Sequence, residues 1–513
     1  MKNAKLLIIN TAVLTLSSFL MKTISVSFNI YLTNRIGSSG MGLFQLIIAV
    51  YGLAVTFASA GIKLGATRLV TDSLSQNKKD TNRIMLMCIR YAIAIGTSIS
   101  VIMYLFSGII SRKWIFDPRA EKSIKILSLS LSPISVSAAL SGYFTARKNI
   151  VKYSTVQLGE QLVRIAVTVI SLKLCGNTGL DSACSAVAVG MTAAEIISAF
   201  SSYLLYRNDS IKLKSDKKTE LELKALLRIS LPDAVGAGFR SVLLTIEHLL
   251  IPKGFEKSGQ STAESISIYG TIHGIALPVI LYPSAVMSSL SSLLIPEFAR
   301  LKLFNEKIKI SYMASQIIKL SLIFSIGVGC YFFVFSQTVS SAIYKSDESY
   351  YYIKLLSVLI PVMYTDMITD GLLKGLDRQA DSMRYNIFDS ALCVLLVYFI
   401  LPVYAIKGYI FILFLSEIIN FALSINKLSK ETQIKLNISN DIIKPLFFGF
   451  LCCNAVKILL KYTFFNTFNP KIFLIISVIL CSFSFFSCIS LSDCISKNEL
   501  KEYSSLIKNK SYA

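Results

Sequence analysis

Long apolar stretches alternate along the chain with short breaks that hold most of its charge. The stretches fall at 6–32, 41–67, 84–107, 123–146, 153–174, 183–206, 225–251, 265–296, 311–336, 350–373, 385–404, 408–426, 442–465 and 471–492. Each is near the roughly 20 residues that a helix needs to cross hydrocarbon. The pattern therefore predicts an all-α, polytopic membrane protein of about fourteen transmembrane helices. The tightest break is "PVYAIKG" (402–408), a turn between two spans. The first stretch raises a question of its own. Lys22 stands at its centre, in "SFLMKTISVSF" (18–28), where an insertion scale charges about 2.5–3.5 kcal/mol for a lysine.

Composition supports the membrane reading. Of 513 residues, 53% are hydrophobic and 16% charged, and the mean hydropathy is +0.61. A soluble domain carries about 25% charged residues. The N-terminus "MKNAKLLIINTAVL" lacks a short apolar region followed by a small-residue cleavage site, so it reads as a retained first span. The ten cysteines carry no CxxC pair and no Cys/His cluster; they read as small buried hydrophobes. Cys175 and Cys184 flank the loop "GNTGLDSA", which leaves a disulfide there open.

Basic residues orient the spans. With the N-terminus inside, the cytoplasmic breaks and termini hold roughly twice the Lys and Arg of the opposite breaks. Both termini are thus expected in the cytoplasm. The net charge of +22 then faces anionic lipid and anchors loops, with no nucleic-acid partner implied. The longest hydrophilic stretch follows the sixth span. It divides the chain into an N-terminal six-helix lobe (1–206), a cytoplasmic linker (207–224), a C-terminal six-helix lobe (225–428), two further spans (429–492) and a cytoplasmic tail (493–513). The lobes echo one another: "GATRLVTDS" (65–73) parallels "EFARLKLFN" (297–305), and "FTARKNIVKYS" (144–154) parallels "LKGLDRQADSMRYN" (373–386). Six spans per lobe make the repeats parallel, related by a pseudo-two-fold axis along the membrane normal, which leaves a cavity between them.

Ionisable groups inside spans face cavities or pair with one another. Glu160 and Arg164, four apart, pair along one helix face, and Asp370 and Lys374 share that spacing. Arg90 and Lys319 lie near span ends and can snorkel. Lys22 and Arg240 sit too deep for that, on the first and seventh spans, the equivalent helices of the two lobes. Neither has an opposite charge three or four residues away, although Arg240 could reach Glu247 two turns along. Lys63 and Arg68 mark the inner end of the second span. His273 lies on the eighth, where Pro278 and Pro283 should bend a long helix beside a cavity. Asp366, Asp389 and Glu417 supply buried carboxylates in the second lobe. The chain has no GxxxxGK[ST], no HExxH and no GxSxG with a plausible triad, so an enzyme is not expected.

The segment "YLTNRIGSSGMGLFQLIIAVYGLAVTFASAGI" (31–62) resembles the first-to-second-span signature of a known family, and "LSGYFTARKNIVKYSTVQLGEQLVRI" (140–165) resembles its fourth-to-fifth-span region. The family is the polysaccharide-biosynthesis, stage V sporulation protein B-like branch of the multidrug/oligosaccharidyl-lipid/polysaccharide exporters. The resemblance covers most of the chain. It implies a flippase in the bacterial cytoplasmic membrane, a monomer acting with cell-wall synthesis enzymes. It would carry peptidoglycan precursor lipid II or a related polyprenyl-diphosphate sugar, with membrane lipid around it and a coupling cation or proton to drive it. Cations from the first, second and eighth spans of that family face the diphosphate. Lys22 fits the first position, and Lys63 or Arg68 the second. His273 is the nearest eighth-span candidate, with Arg240 substituting from the seventh. Asn29 stands where relatives often carry arginine, and Lys63 where they often carry proline.

The expected substrate-binding set is accordingly Lys22, Lys63, Arg68, Arg240, Glu247 and His273, and the coupling-ion set Asp366, Asp389 and Glu417. No catalytic group, cofactor or metal is expected. Two alternatives remain open here. One is a multidrug/cation antiporter working through the second-lobe acids; the other is a membrane scaffold for wall synthesis.

Overall fold

The computed structural model describes residues 2–75, 81–147, 149–175, 179–210, 223–344, 349–434, 436–464 and 470–492. Among the described residues every regular element is helical and no strand is present. Most of the linker 207–224 and the tail 493–513 lie outside them.

Two of the helical elements are each a pair of arms joined at a kink. The first, α1 (Lys2–Ser59), spans 58 residues. Its backbone leaves helical geometry at Gly37 (φ 74, ψ 179), a region open to glycine alone. Contacts show what the break does. In the first arm, Lys22 meets Ser284 and Thr23 meets Tyr282, and at the far side of the break Ser38 meets Ser267, so the first arm runs antiparallel to 267–284. In the second arm (38–59), Thr245 bonds the Ala49 carbonyl, and Gly61 beyond it packs on Ser230, so this arm is antiparallel to the helix Leu223–Lys257. That helix and the segment after its short loop are themselves antiparallel, with Tyr269 on His248. The chain therefore reverses at Gly37.

After α1 come α2 (Ile62–Ser75), α3 (Thr81–Leu105), and α4 (Ala120–Ser128) bent by 42° into α5 (Leu131–Ala146). Next, α6 (Ile150–Cys175) pairs with α7 (Leu180–Ser210). The second half opens with α8 (Leu223–Lys257) and α9 (Thr262–Tyr269). A π-helical turn, Gly270–Ala276, leads on through Leu277–Ile280 to α10 (Ser284–Leu303), bent by 61° from the preceding segment. This is the bend that Pro278 and Pro283 foretell. Then follow α11 (Lys307–Tyr344), α12 (Ser349–Leu356), α13 (Ile360–Gly375) and α14 (Gln379–Thr432). The last two are α15 (Lys444–Phe464) and α16 (Pro470–Leu491).

The 54-residue α14 is the second hairpin. It breaks at Ala405 (φ 49, ψ −132), inside "PVYAIKG". Residues on its two arms meet pairwise: Arg378, just before it, with Glu431 at 2.9 Å, Lys427 with Asp381 at 3.1 Å, and Cys393 with Ser416 at 3.0 Å.

By length and apolarity, nine described helices can cross a membrane, or eleven when the two bent pairs are included, against the fourteen expected. The difference has a physical origin. Each of the two kinked elements, α1 and α14, holds two apolar arms, and α6 is too polar to qualify, with Lys152, Glu160, Arg164 and Lys173.

In hydrocarbon, helices are held by close van der Waals packing at small residues. A side-chain carbon at Gly42 would fall 2.0 Å from the Ile266 carbonyl oxygen, and one at Gly270 would fall 2.1 Å from that of Ser38. These contacts clamp the second arm of α1 onto α9 and the π-helical turn. Ile62, Met85, Leu140 and Tyr143 bind α2, α3 and α5 together in the first half. The larger core around Phe255, Ile272, Phe335, Tyr364 and Tyr409 fills the second half and reaches Ile47 of the first.

Candidate functional site

Lys22 is half-buried on the first arm of α1, and its Nζ donates to Ser284 Oγ at 2.9 Å. Ser284 sits at the start of α10, beside the bend. Its own hydroxyl donates to the Leu281 carbonyl at 2.7 Å, an oxygen displaced from the helical ladder because Ala285 N turns to Tyr282. One turn-edge away, Thr23 Oγ1 and Tyr282 OH are 3.2 Å apart. The bend thus offers hydroxyls to the ammonium, and among the described residues no carboxylate pairs with it. Lys22 bridges the two halves of the chain.

Lys63 and Arg68 are exposed on α2 and make no ion pair among the described residues. Arg240, also exposed, donates through Nη2 to Asn386 Oδ1 at 3.3 Å and lies in the field of Asp389. It turns toward the first arm of α14 rather than to Glu247, whereas Lys22 turns toward α10. The two deep cations therefore have different neighbours.

The acids gather elsewhere. Asp366 of α13 accepts from Asn420 Nδ2 at 3.1 Å, and Asp389 accepts from the Ser416 hydroxyl, which in turn takes the Cys393 thiol. Glu417 lies in the field of Asp366, Asp389 and Glu247, and Glu247 in that of Asp389. Glu247, expected beside the substrate cations, keeps company with the three coupling candidates. Among the described residues no three His, Cys, Asp or Glu groups converge as a metal site. Asp370 takes the Ser382 hydroxyl and pairs with Lys374 at 3.4 Å.

His273 is packed within the second half. Its Nε2 is 2.6 Å from Tyr409 OH, its ring stacks on Tyr269, and its centroid is 5.0 Å from that of His248. The chain has only two histidines, and they touch. Sequence reasoning left His248 without a role, although it follows Glu247 directly. Asn420 and Ser416 were also missed; the three-residue spacing of Asn420 from Glu417 was a usable signal.

In the first half, Arg164 Nη2 bonds Glu160 Oε1 at 2.7 Å, as the spacing predicts, and also reaches Glu195 Oε1 at 3.4 Å from α7. Lys319, expected to snorkel, pairs with Asp441 at 3.8 Å beside a polar hollow of about 300 Å³. Cys175 and Cys184 are not joined; the Cys184 thiol lies 3.9 Å from the Gly40 carbonyl.

Residues 7–302 match the family described as "Polysaccharide biosynthesis protein", more than half of the chain. Stage V sporulation protein B of Bacillus subtilis (strain 168) is 20% identical over 386 residues, covering 74% of each chain. Sporulation protein YkvU of the same organism is 19% identical over 393 residues, 75% of this chain and 86% of its own. The fold is that of the lipid II flippase MurJ in an inward closed conformation (TM-score 0.72, 13% identity, 94% of this chain and 99% of that one). It is shared by an inward-facing multidrug resistance MATE family transporter of the MOP superfamily (TM-score 0.63, 13% identity, 83% of this chain and 100% of that one). With its apolar helices, the protein is a multi-pass membrane protein of transporter fold.

Proposed function

The chain belongs to the polysaccharide biosynthesis protein family, and from that premise we propose that it flips a lipid-linked sugar diphosphate across the cytoplasmic membrane. The substrate class is lipid II or a related polyprenyl-diphosphate sugar, and the direction is from inner to outer leaflet. One observation carries the reading. Lys22 lies deep in an apolar helix, reaches across to the other half of the chain, and meets a serine there instead of a carboxylate. A lysine so placed is costly, and phosphate oxygens would match its charge through charge-assisted hydrogen bonds. Lys63 and Arg68, exposed on α2 and without an ion pair among the described residues, supply further cations on the substrate's path. The sugar diphosphate travels in the cavity between two rocking six-helix lobes while its polyprenyl tail stays in lipid.

Asp366, Asp389 and Glu417, with Glu247 beside them, form the coupling site for a cation or proton, and Arg240 tempers the field at Asp389. The same convergence of acids favours one second reading, a cation-coupled drug antiporter on this fold. Depletion in the native cell followed by mass spectrometry of membrane lipids separates the two. The flippase reading expects a polyprenyl-diphosphate sugar to accumulate; unchanged precursor pools would overturn it.

A further inference from the structure

The ionic network of the first half has no part in that reading. Glu160 and Arg164 stand near the middle of α6, and Glu195 near the middle of α7. Arg164 Nη2 donates to Glu160 Oε1 at 2.7 Å and to Glu195 Oε1 at 3.4 Å. A single guanidinium nitrogen thus serves two carboxylates on two helices. We propose that this triad is a proton-binding site of the first half, which holds one exchangeable proton on Glu195. The site goes beyond the function proposed above, whose substrate cations and coupling acids are other residues.

Charge counting carries it. Two carboxylates against one guanidinium leave one negative charge, and an uncompensated charge at membrane depth is costly. Glu160 is the nearer carboxylate and shares a helix face with Arg164, so it neutralises the guanidinium. The surplus falls on Glu195, which lies in the field of Glu160 and Arg164. Charged groups on the surrounding helices are engaged elsewhere. Lys152 of α6 and Arg147, just past α5, face Asp209 at 2.7 and 4.0 Å, and Lys125 of α4 pairs with Glu121 at 2.8 Å. Lys173, Asp181 and Arg207 lie near helix ends. Two phenols complete the surroundings, Tyr51 from the second arm of α1 and Tyr153 from α6, each in the field of both glutamates.

Packing encloses the triad without using all of its polar atoms. A side-chain carbon at Gly190 of α7 would fall 2.0 Å from Thr168 Oγ1 and 3.0 Å from the Arg164 carbonyl oxygen, so α7 lies directly on α6 here. Thr168 is fully buried, yet its Oγ1 has no hydrogen-bond partner among the described residues, and neither has the buried Nε of Arg164. Buried polar atoms of this kind bind water, which gives a proton its way in. The charge is also felt outside the site. Tyr51 OH and Ser130 Oγ are 2.6 Å apart, and Ser130 lies at the 42° bend between α4 and α5. Tyr51 is in the field of all three members, so the proton acts where α1 meets that bend.

The test needs no transport substrate. Full-length protein in lipid nanodiscs is titrated from about pH 4 to 9, the span between an ordinary carboxylate and one shifted by several units. Infrared spectroscopy follows the carbonyl stretch of protonated carboxyl groups, and subtracting a variant from the wild type cancels the second-half acids. Glu195→Gln should remove one such band, which shifts in heavy water and fades as pH rises. Glu160→Gln should remove the same band, because Glu195 then becomes the sole partner of Arg164 and ionises. Both changes keep side-chain volume, and thermal unfolding confirms the fold of each variant. A band retained in folded Glu195→Gln would overturn the proposal. So would a band kept in Glu160→Gln, which would make Glu195 an isolated buried acid, or one indifferent to heavy water and pH. A midpoint that follows sodium concentration would assign the site to a metal cation instead of a proton.

Discussion

Replacing Lys22 by alanine distinguishes a ligand-binding lysine from a structural one, because the two predict opposite results for stability. Lys22 donates one hydrogen bond, 2.9 Å long, to Ser284 Oγ. A bond from a charged donor contributes about 1.5–3 kcal/mol, and placing an ammonium at the centre of a span costs about 2.5–3.5 kcal/mol. The two nearly cancel, so Lys22→Ala should change stability by no more than about 1 kcal/mol. Were Lys22 the partner of a buried carboxylate, the same change would cost about 3–5 kcal/mol. Affinity should behave the other way. Loss of one charge-assisted bond to phosphate removes about 1.5–3 kcal/mol, or about 10- to 150-fold in Kd. Lys22→Arg should retain part of the affinity, and Lys22→Glu should fall below alanine because it sets like charge against phosphate. Ser284→Ala should leave affinity within about threefold, since the lysine itself remains. Arg240 has different neighbours, so Arg240→Ala and Lys22→Ala should add independently. The assay is thermal unfolding and equilibrium binding of a polyprenyl-diphosphate sugar, on purified variants in nanodiscs. Wild-type affinity in a folded Lys22→Ala protein would falsify the phosphate reading.

Three further outcomes are expected. In a cysteine-free background, Ser215→Cys should be labelled from the cytoplasm and Ser258→Cys from outside; the reverse pattern would undo the span order that the basic residues imply. Asp366→Asn, Asp389→Asn and Glu417→Gln should each lower gradient-driven transport in proteoliposomes while head-group binding persists, and wild-type rates in all three would make these acids structural. Gly37→Ala meets no atom within 4 Å, so its whole cost is backbone strain, about 1–3 kcal/mol, read as a lowered Tm; an unchanged Tm would mean the reversal does not depend on glycine.

The local parts of this protein were legible in the sequence. A helix rises about 1.5 Å and turns about 100° per residue, so groups four apart must meet. Glu160 with Arg164, and Asp370 with Lys374, follow from that geometry alone. So do the all-α class, the bend at Pro278 and Pro283, and the turn at "PVYAIKG", because hydropathy and proline act over a few residues. The depth of Lys22 is equally a sequence fact.

Its partner is not. Ser284 is 262 residues away and arrives only because the first arm of α1 runs antiparallel to the bent segment. The third member of the Arg164 network, Glu195, comes from a neighbouring helix, as does Asp441 to Lys319. Arg240 turned to Asn386, and Glu247 fell among the second-half acids, because which face of α8 meets α14 is decided by packing at residues such as Gly254 and Leu401. The two histidines, 25 positions apart in the sequence, touch only because α8 and the π-helical turn fold back on each other. Hydropathy records that a side chain is in the membrane; only the docking of distant helices determines what it faces there.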